Sequence, residues 1–123
     1  MATSMEVIAR ELPEVDDPSR PNPRDWADLD GVRGFVHGLD VQVRLEQRTI
    51  WFRFPSLEAV FDLFEVASGP YLRMRAAIEQ RDPQGWDRVR RDVVAGWGPL
   101  ARPAADGGVE LPTDYGVATI MPA

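Results

Sequence analysis

Two apolar segments with strand-like alternation lie far apart in the chain and bracket a block of helical patterns. In the first, residues 41–45 alternate apolar and polar side chains, and residues 50–54 continue the alternation in the opposite phase. This change of phase predicts either a bulge or a strand that turns its other face inward. The second segment covers residues 109–121, and its part after Pro112 is apolar enough to predict burial on both faces. Two such strands are most simply antiparallel partners.

Three helices are predicted between these strands, because apolar stripes at helical spacing are separated by helix-breaking pairs. The pairs are Pro55-Ser56, Gly69-Pro70, Asp82-Pro83 and Gly98-Pro99, with Asp82 expected to cap the third helix. A shorter helix, capped by Asp28 or Asp30, precedes the first strand and stops at Gly38. We therefore predict an α+β fold with a small, mainly antiparallel sheet and a three-helix insertion.

The amino-terminal part of the chain is less informative. Residues 1–12 fit a helix or a short strand equally well. Residues 13–27 contain four prolines among Asp, Ser and Asn, which is typical of an extended linker, and we expect Trp26 to pin its far end to the core. The predicted organisation is an amino-terminal strand or helix with a Pro-rich linker over residues 1–25, and one α+β domain over residues 26–123.

Composition excludes several classes of function. The chain has 123 residues, a formal net charge of −6, no Lys and no Cys. The negative charge argues against nucleic-acid binding. The absence of Lys excludes Schiff-base catalysis, and the absence of Cys excludes disulfides, thiolate nucleophiles and Cys-bound metals. No apolar run is long enough to span a membrane and no signal peptide is visible, so a cytoplasmic protein is expected.

Four motifs, in the same order and with similar spacing, resemble the carboxy-terminal part of UbiE-like class I methyltransferases that use S-adenosylmethionine. They are WADLDGV at 26–32, IWFRFPSLEA at 50–59, SGP at 68–70 and DGGVELPTDY at 106–115. The resemblance runs from about residue 26 to residue 121. It implies that the sheet is a remnant of the carboxy-terminal edge of a methyltransferase sheet.

The resemblance also implies that the cofactor-binding half is missing. In this family the glycine-rich turn follows the first strand and leads into a helix, whereas Gly107-Gly108 precedes a strand. We therefore expect no S-adenosylmethionine site and no cofactor. The family's last strands lie beside parallel strands, and without those the chain would expose an open sheet edge and an apolar face. A homodimer, or pairing with a separate chain that supplies the missing half, is expected.

Few side chains offer general acid–base chemistry. His37, the only histidine, is a weak catalytic candidate, because a histidine at a helix end more often interacts favourably with the helix dipole. Tyr115 is the second weak candidate. One histidine without a nearby carboxylate cluster predicts no metal site.

The aromatic residues of the three helices are the better candidates for binding a hydrophobic small molecule, since the resembling family covers its substrate with these helices. The predicted substrate-binding residues are Phe61, Phe64, Tyr71, Met74, Trp86 and Trp97, with Arg53 as a polar group at the pocket wall. Core packing is the alternative for several of them. The arginines at positions 81–91 are interleaved with Asp and are expected to form an ion-paired surface.

Three hypotheses remain open at this point. The first is a non-catalytic module that binds a hydrophobic small molecule or completes a split methyltransferase. The second is a cofactor-free cyclase or isomerase of bacterial secondary metabolism that uses the former substrate pocket. The third is a structural interaction protein without a ligand.

Overall fold

The computed structural model describes residues 2–19 and 23–123. Helices α1 to α5 are Ala2–Glu11, Leu29–Phe35, Leu57–Ala67, Gly69–Arg81 and Gly85–Trp97. Strands β1 to β3 are Val41–Phe54, Arg102–Pro103 and Val109–Pro122. Within the described residues the strands form one sheet in the order β1-β3-β2, and β2 pairs with β3 antiparallel. The predicted α+β class with a small antiparallel sheet is confirmed.

Short polar side chains set the starts of two helices, as predicted. The Asp28 carboxylate accepts a hydrogen bond from the Gly31 backbone N–H at 2.7 Å and caps α2. The Ser56 hydroxyl accepts one from the Ala59 N–H at 3.1 Å and caps α3. The predicted cap of the third helix is displaced, because Asp82 accepts from the Gln84 N–H in a turn and α5 begins only at Gly85.

The contacts between residues divide the chain into two units. Unit 1 comprises Met1–Asp17 and Trp51–Pro112, and unit 2 comprises Pro18–Ile50 and Thr113–Ala123. The first ten residues of β1 and the last ten of β3 belong to unit 2, and the remaining residues of both strands belong to unit 1.

Unit 1 contains the hydrophobic core, which is built by α1, α3, α4 and α5 with Leu111 of β3. On α5, Val89 and Val93 are fully buried on the face that also carries Trp86 and Trp97, as the helical spacing predicts. Helix α1 packs against α5 and resolves the ambiguity of residues 1–12. Its buried residues are Ser4, Val7 and Ile8, and Leu12 follows directly after the helix.

Unit 2 contains α2 and a two-stranded antiparallel ribbon. Trp26 stacks on Phe35 with ring centroids 4.0 Å apart, and it keeps 56% of its surface exposed. Trp26 therefore belongs to unit 2 and is not part of the hydrophobic core of unit 1. Residues 20–22 of the predicted linker lie outside the described residues, and its other parts form 3-10 turns at Pro13–Asp16 and Pro23–Ala27.

The ribbon of unit 2 is paired in a single register. The Ala123 backbone N–H donates to the Asp40 carbonyl at 3.1 Å, and the Thr49 hydroxyl donates to the Asp114 carboxylate at 2.6 Å. Positions 40 and 49 are nine apart in the chain, and so are positions 114 and 123, so no extra residue is inserted between these points. Of the two predicted alternatives, a bulge is therefore absent between these points. Residues 41, 43 and 45 are half-buried in unit 2 and Phe54 packs on the core of unit 1, but Ile50 and Phe52 expose 43% and 44% of their surface, so the predicted alternation in the opposite phase is buried at Phe54 alone.

The predicted burial of β3 on both faces is wrong for its part in unit 2. Tyr115, Val117, Ile120 and Met121 expose between 37% and 46% of their surface. The apolar alternation is present, but within the described residues only β1 pairs with this part of β3. Apolar side chains on an unpartnered ribbon stay accessible to solvent.

Replacing Phe61 by Ala is expected to lower the free energy of unfolding by about 3–5 kcal/mol, because its fully buried ring contacts three other aromatic rings. Leu63 lies on the same helix and is 48% exposed, so Leu63→Ala is the matched control with an expected loss below about 1 kcal/mol. Urea denaturation followed by tryptophan fluorescence measures both. Equal losses for the two variants would contradict the assignment of the core.

Candidate functional site

Phe61 lies at the centre of an aromatic cluster formed by α3, α4 and α5 in unit 1. Its ring centroid is 6.0 Å from that of Tyr71, 5.6 Å from Trp86 and 6.3 Å from Trp97. Phe64 stacks on Tyr71 at 5.2 Å. Because Phe61, Tyr71, Trp86 and Trp97 are buried, their rings fill the space between the helices. The structure thus brings the predicted substrate-binding residues together, and it places them in the core.

Two polar atoms inside this cluster have different surroundings. The Tyr71 hydroxyl is hydrogen-bonded to Ser4 of α1, and burial raises the pKa of Tyr71 while this hydrogen bond opposes the rise. The buried indole N–H of Trp97 has no hydrogen-bond partner among the described residues. Phe61 and Phe64 are its aromatic neighbours. Met74, the last residue of the predicted set, is also buried in the core.

Glu65 joins the aromatic cluster to the charged surface of unit 1. Its carboxylate accepts a hydrogen bond from the Trp86 indole N–H at 2.6 Å and one from Arg90 at 3.2 Å, and Arg75 lies 3.6 Å away. Arg90 also pairs with Asp62 at 2.7 Å and lies over the Phe61 ring, 5.2 Å from its centroid. Glu65 therefore anchors a buried tryptophan as well as taking part in surface ion pairs.

Arginines of α4 and α5 hold the amino-terminal segment against unit 1. Arg88 forms two hydrogen bonds with the Glu11 carboxylate, at 3.0 and 3.1 Å, and pairs with Asp82 at 2.7 Å. These two carboxylates raise the pKa of Arg88. Arg81 pairs with Glu14, and the hydrogen bond from Arg81 lowers the pKa of Glu14. The predicted ion-paired surface is confirmed, although most of its carboxylates come from other elements.

The remaining predicted site residues lie in three separate places. Arg53 pairs with Asp106 at 3.4 Å and lines an open cleft of about 400 Å³ in unit 1. His37 lines another open cleft, of about 460 Å³, in unit 2. Tyr115 is hydrogen-bonded to Arg48.

His37 and Tyr115 do not form one catalytic pair. The cleft of His37 includes Val41 of β1, whereas Tyr115 is hydrogen-bonded to Arg48, seven residues further along the same strand. At the rise of an extended strand this corresponds to roughly 23 Å. Proton transfer between the two side chains requires hydrogen-bond distance, directly or through one water molecule.

Metal and membrane sites have no support within the described residues. No group of three or more His, Asp and Glu side chains there is arranged to hold a metal ion. No helix in residues 2–19 or 23–123 has the length and hydropathy needed to cross a bilayer.

The outer edge of β3 is an open hydrogen-bonding edge of unit 2 within the described residues. Because Ala123 bonds to Asp40, odd-numbered residues of β3 direct their backbone groups toward β1 and even-numbered residues direct theirs outward. The outward positions of β3 in unit 2 are Asp114, Gly116, Ala118, Ile120 and Pro122. Strand β2 covers this side only at Val109 and Glu110, which belong to unit 1. Four outward backbone N–H groups, at positions 114 to 120, are thus without a strand partner in the described chain.

The sequence predicted an open sheet edge but not which strand carries it, although a signal for β3 was present. Pro112 and Pro122 both lie inside β3 at even-numbered positions, where the missing N–H would point outward. Proline inside a strand is confined to edges and bulges, because it cannot donate to a neighbouring strand. Two prolines with the same parity therefore mark which side of β3 is the outer edge.

Comparison with known proteins gives no family assignment. No protein-family model matches the chain, and no curated protein matches it at a significant level.

Replacing Glu65 by Leu is expected to lower the free energy of unfolding by about 1–3 kcal/mol, because it leaves the buried Trp86 N–H without an acceptor. Glu65→Gln is the matched variant, since its amide oxygen can still accept from Trp86, and it should lose less. Urea denaturation measures both. A Gln variant as unstable as the Leu variant would show that the charge, and not the hydrogen bond, matters.

The Glu14–Arg81 pair is expected to make stability depend on pH. Arg81 lowers the pKa of Glu14 below its ordinary value of 4.5, so the folded state favours the ionised carboxylate. The contribution is present above pH 4.5 and is lost as the pH falls through the lowered pKa. The urea midpoint of wild type minus that of Glu14→Gln should therefore be positive at pH 7 and shrink in acid. Glu6→Gln, on an exposed residue of α1, is the control for loss of one negative charge.

Proposed function

We propose that this chain is a non-catalytic assembly module that completes the sheet of a separate methyltransferase-like chain. The observation that carries the proposal is the open outer edge of β3 in unit 2. An extended segment can add to such an edge through backbone hydrogen bonds, while neighbouring side chains supply specificity.

The chemistry of the edge fits a partner strand. Asp114, Gly116, Ala118 and Ile120 offer outward backbone donors. Exposed apolar side chains line the same strand on both faces: Tyr115, Val117, Ile120 and Met121. Adding a strand with apolar side chains would remove part of their surface from water. In the resembling family, the parallel strands of the cofactor-binding half lie beside the final strands, and in this proposal the partner chain supplies them.

Packing in unit 1 supports assembly over the two ligand-based hypotheses. Both hypotheses need a cavity that is lined by the aromatic residues of α3, α4 and α5. These aromatic rings pack on one another instead, and the two clefts described above are lined by other residues. The role of the aromatic set is, in this proposal, to hold the helices of unit 1 together. A cytoplasmic location, where a methyltransferase would meet its cofactor, belongs to the same proposal.

The test is to coexpress the chain with the amino-terminal half of a UbiE-like methyltransferase encoded in the same genome. A one-to-one complex is expected by size-exclusion chromatography with light scattering. Ala118→Pro should abolish it, because proline removes an outward donor and leaves the pairing with β1 intact. Ala118→Ser keeps the donor and is the matched control, and circular dichroism verifies that both variants fold.

Titration calorimetry provides a second readout. The chain alone should give no binding heat with S-adenosylmethionine, and the complex should bind it. Micromolar binding by the chain alone would overturn the proposal, as would a genome that encodes no such amino-terminal half. Equal assembly of the Pro and Ser variants would show that the outer edge of β3 is not the contact.

A further inference from the structure

The second open edge of unit 2 belongs to β1. Since even-numbered residues of β1 bond toward β3, its odd-numbered residues direct their backbone groups outward. The outward residues in unit 2 are Val41, Val43, Leu45, Gln47 and Thr49. None is proline, unlike the outer edge of β3. The Val41 N–H already donates to the Leu39 carbonyl at 3.0 Å, so the outward donors that remain are those of Val43, Leu45, Gln47 and Thr49. Within the described residues no strand pairs with this edge.

A charged row accompanies this edge. Arg44, Glu46 and Arg48 project from one face of β1, and Glu46 lies 3.3 Å from Arg44 and 2.8 Å from Arg48. Arg48, through its hydrogen bond, lowers the pKa of Glu46, so the carboxylate is ionised at neutral pH. Charged side chains of one sign protect an edge because they repel a second copy. A row of alternating sign repels a reversed copy of itself at some registers and attracts it at others.

Pairing of two identical strands leaves few registers. Residues with outward backbone groups must lie opposite one another, so odd-numbered positions face odd-numbered positions. In an antiparallel, two-fold arrangement the even-numbered positions, which carry the charges, then also face one another. With the two-fold axis at Leu45, Arg44 faces Glu46 of the second copy and Glu46 faces its Arg44. With the axis at Glu46, the two Glu46 side chains face one another and Arg44 faces Arg48, which is unfavourable.

A third register places the axis at Gln47 and pairs Glu46 with Arg48 of the second copy. Charge matching does not separate this register from the one at Leu45, because Glu46 contacts both Arg44 and Arg48 of its own chain. This register also brings residues beyond Ile50, which belong to unit 1, into the pairing. The register at Leu45 uses residues 41–49 only and places Arg48 opposite Gln42, whose amide oxygen can accept a hydrogen bond.

We propose that two copies of this chain associate through the outer edge of β1, antiparallel, about a two-fold axis at Leu45. The pairing extends the two-stranded ribbon of unit 2 to four strands. On one face the contact forms two Arg44–Glu46 ion pairs, and on the other it brings the two Leu45 side chains together. The outer edge of β3 stays open, so this dimer does not depend on the proposed function.

Charge exchange tests the register. Sedimentation equilibrium should show a wild-type dimer, and Arg44→Glu or Glu46→Arg should each raise its dissociation constant about tenfold, because like charges then face one another across the axis. The double variant with both changes should return to within about threefold of wild type. If the double variant stays weak, the axis does not lie at Leu45, since pairing at Gln47 would place positive charges at positions 46 and 48 opposite one another.

Proline substitution tests the edge itself. Gln47→Pro should yield a monomer with an unchanged circular dichroism spectrum, because it removes an outward donor and leaves the pairing with β3 intact. Gln47→Ala loses the same side-chain hydrogen bond to the Ala27 carbonyl but keeps the backbone donor, and it should stay dimeric. Ala118→Pro should also stay dimeric, which separates this contact from the one in the proposed function. A wild-type monomer, or a dimeric Gln47→Pro variant, would overturn the proposal.

Discussion

The antiparallel pairing of β1 with β3 is the constraint on which the structure depends. The two strands are separated by the whole block of α3, α4 and α5, so their pairing closes a long loop and carries the corresponding entropic cost. Within unit 1 that cost is offset by the burial of aromatic and aliphatic side chains from all four helices. Unit 2 has no comparable core: of its described side chains, only Val32 is fully buried. Its ribbon therefore relies on backbone hydrogen bonds and on cross-strand contacts such as Thr49–Asp114.

Local signals in the sequence predicted most of the elements in unit 1. Ser56 and Asp28 cap helices as expected, and the stripe of α5 is buried as its spacing indicates. Helix α1 could not be assigned, because a segment of about ten residues has no decisive periodicity and gains its helical stability from tertiary packing. The contacts that fix it, from Arg88 to Glu11 and from Arg81 to Glu14, join residues more than sixty positions apart. No local pattern contains that information.

The candidate site could be predicted only in part, for a physical reason. Apolar spacing identifies which side chains leave water, but it does not distinguish a ring that lines a pocket from a ring that packs on another ring. The spacing of Phe61 and Trp97 is compatible with a pocket lining and with core packing. Their rings contact one another, which assigns both residues to the core. The sequence around Glu65 does not indicate its hydrogen bond to Trp86, because that bond depends on how α3 and α5 pack. Tyr115 and Val117 were predicted to be buried, because apolar alternation is typical of a covered strand face. Both are exposed, since no other element of the described residues covers that face.

The two open edges of unit 2 limit a partner strand by different means. On β3 the length of a partner strand is limited by the backbone donors. Pro122 lies at an outward position and ends the run of donors that starts at Asp114. That edge accepts only a short strand. On β1 the outward donors run without interruption from Val43 to Thr49, and the limit is the order of charges at positions 44, 46 and 48. An uncharged strand would leave those charges without new partners, whereas a reversed copy of β1 matches them. Two edges of one ribbon can therefore select different partners, because one discriminates by strand length and the other by charge.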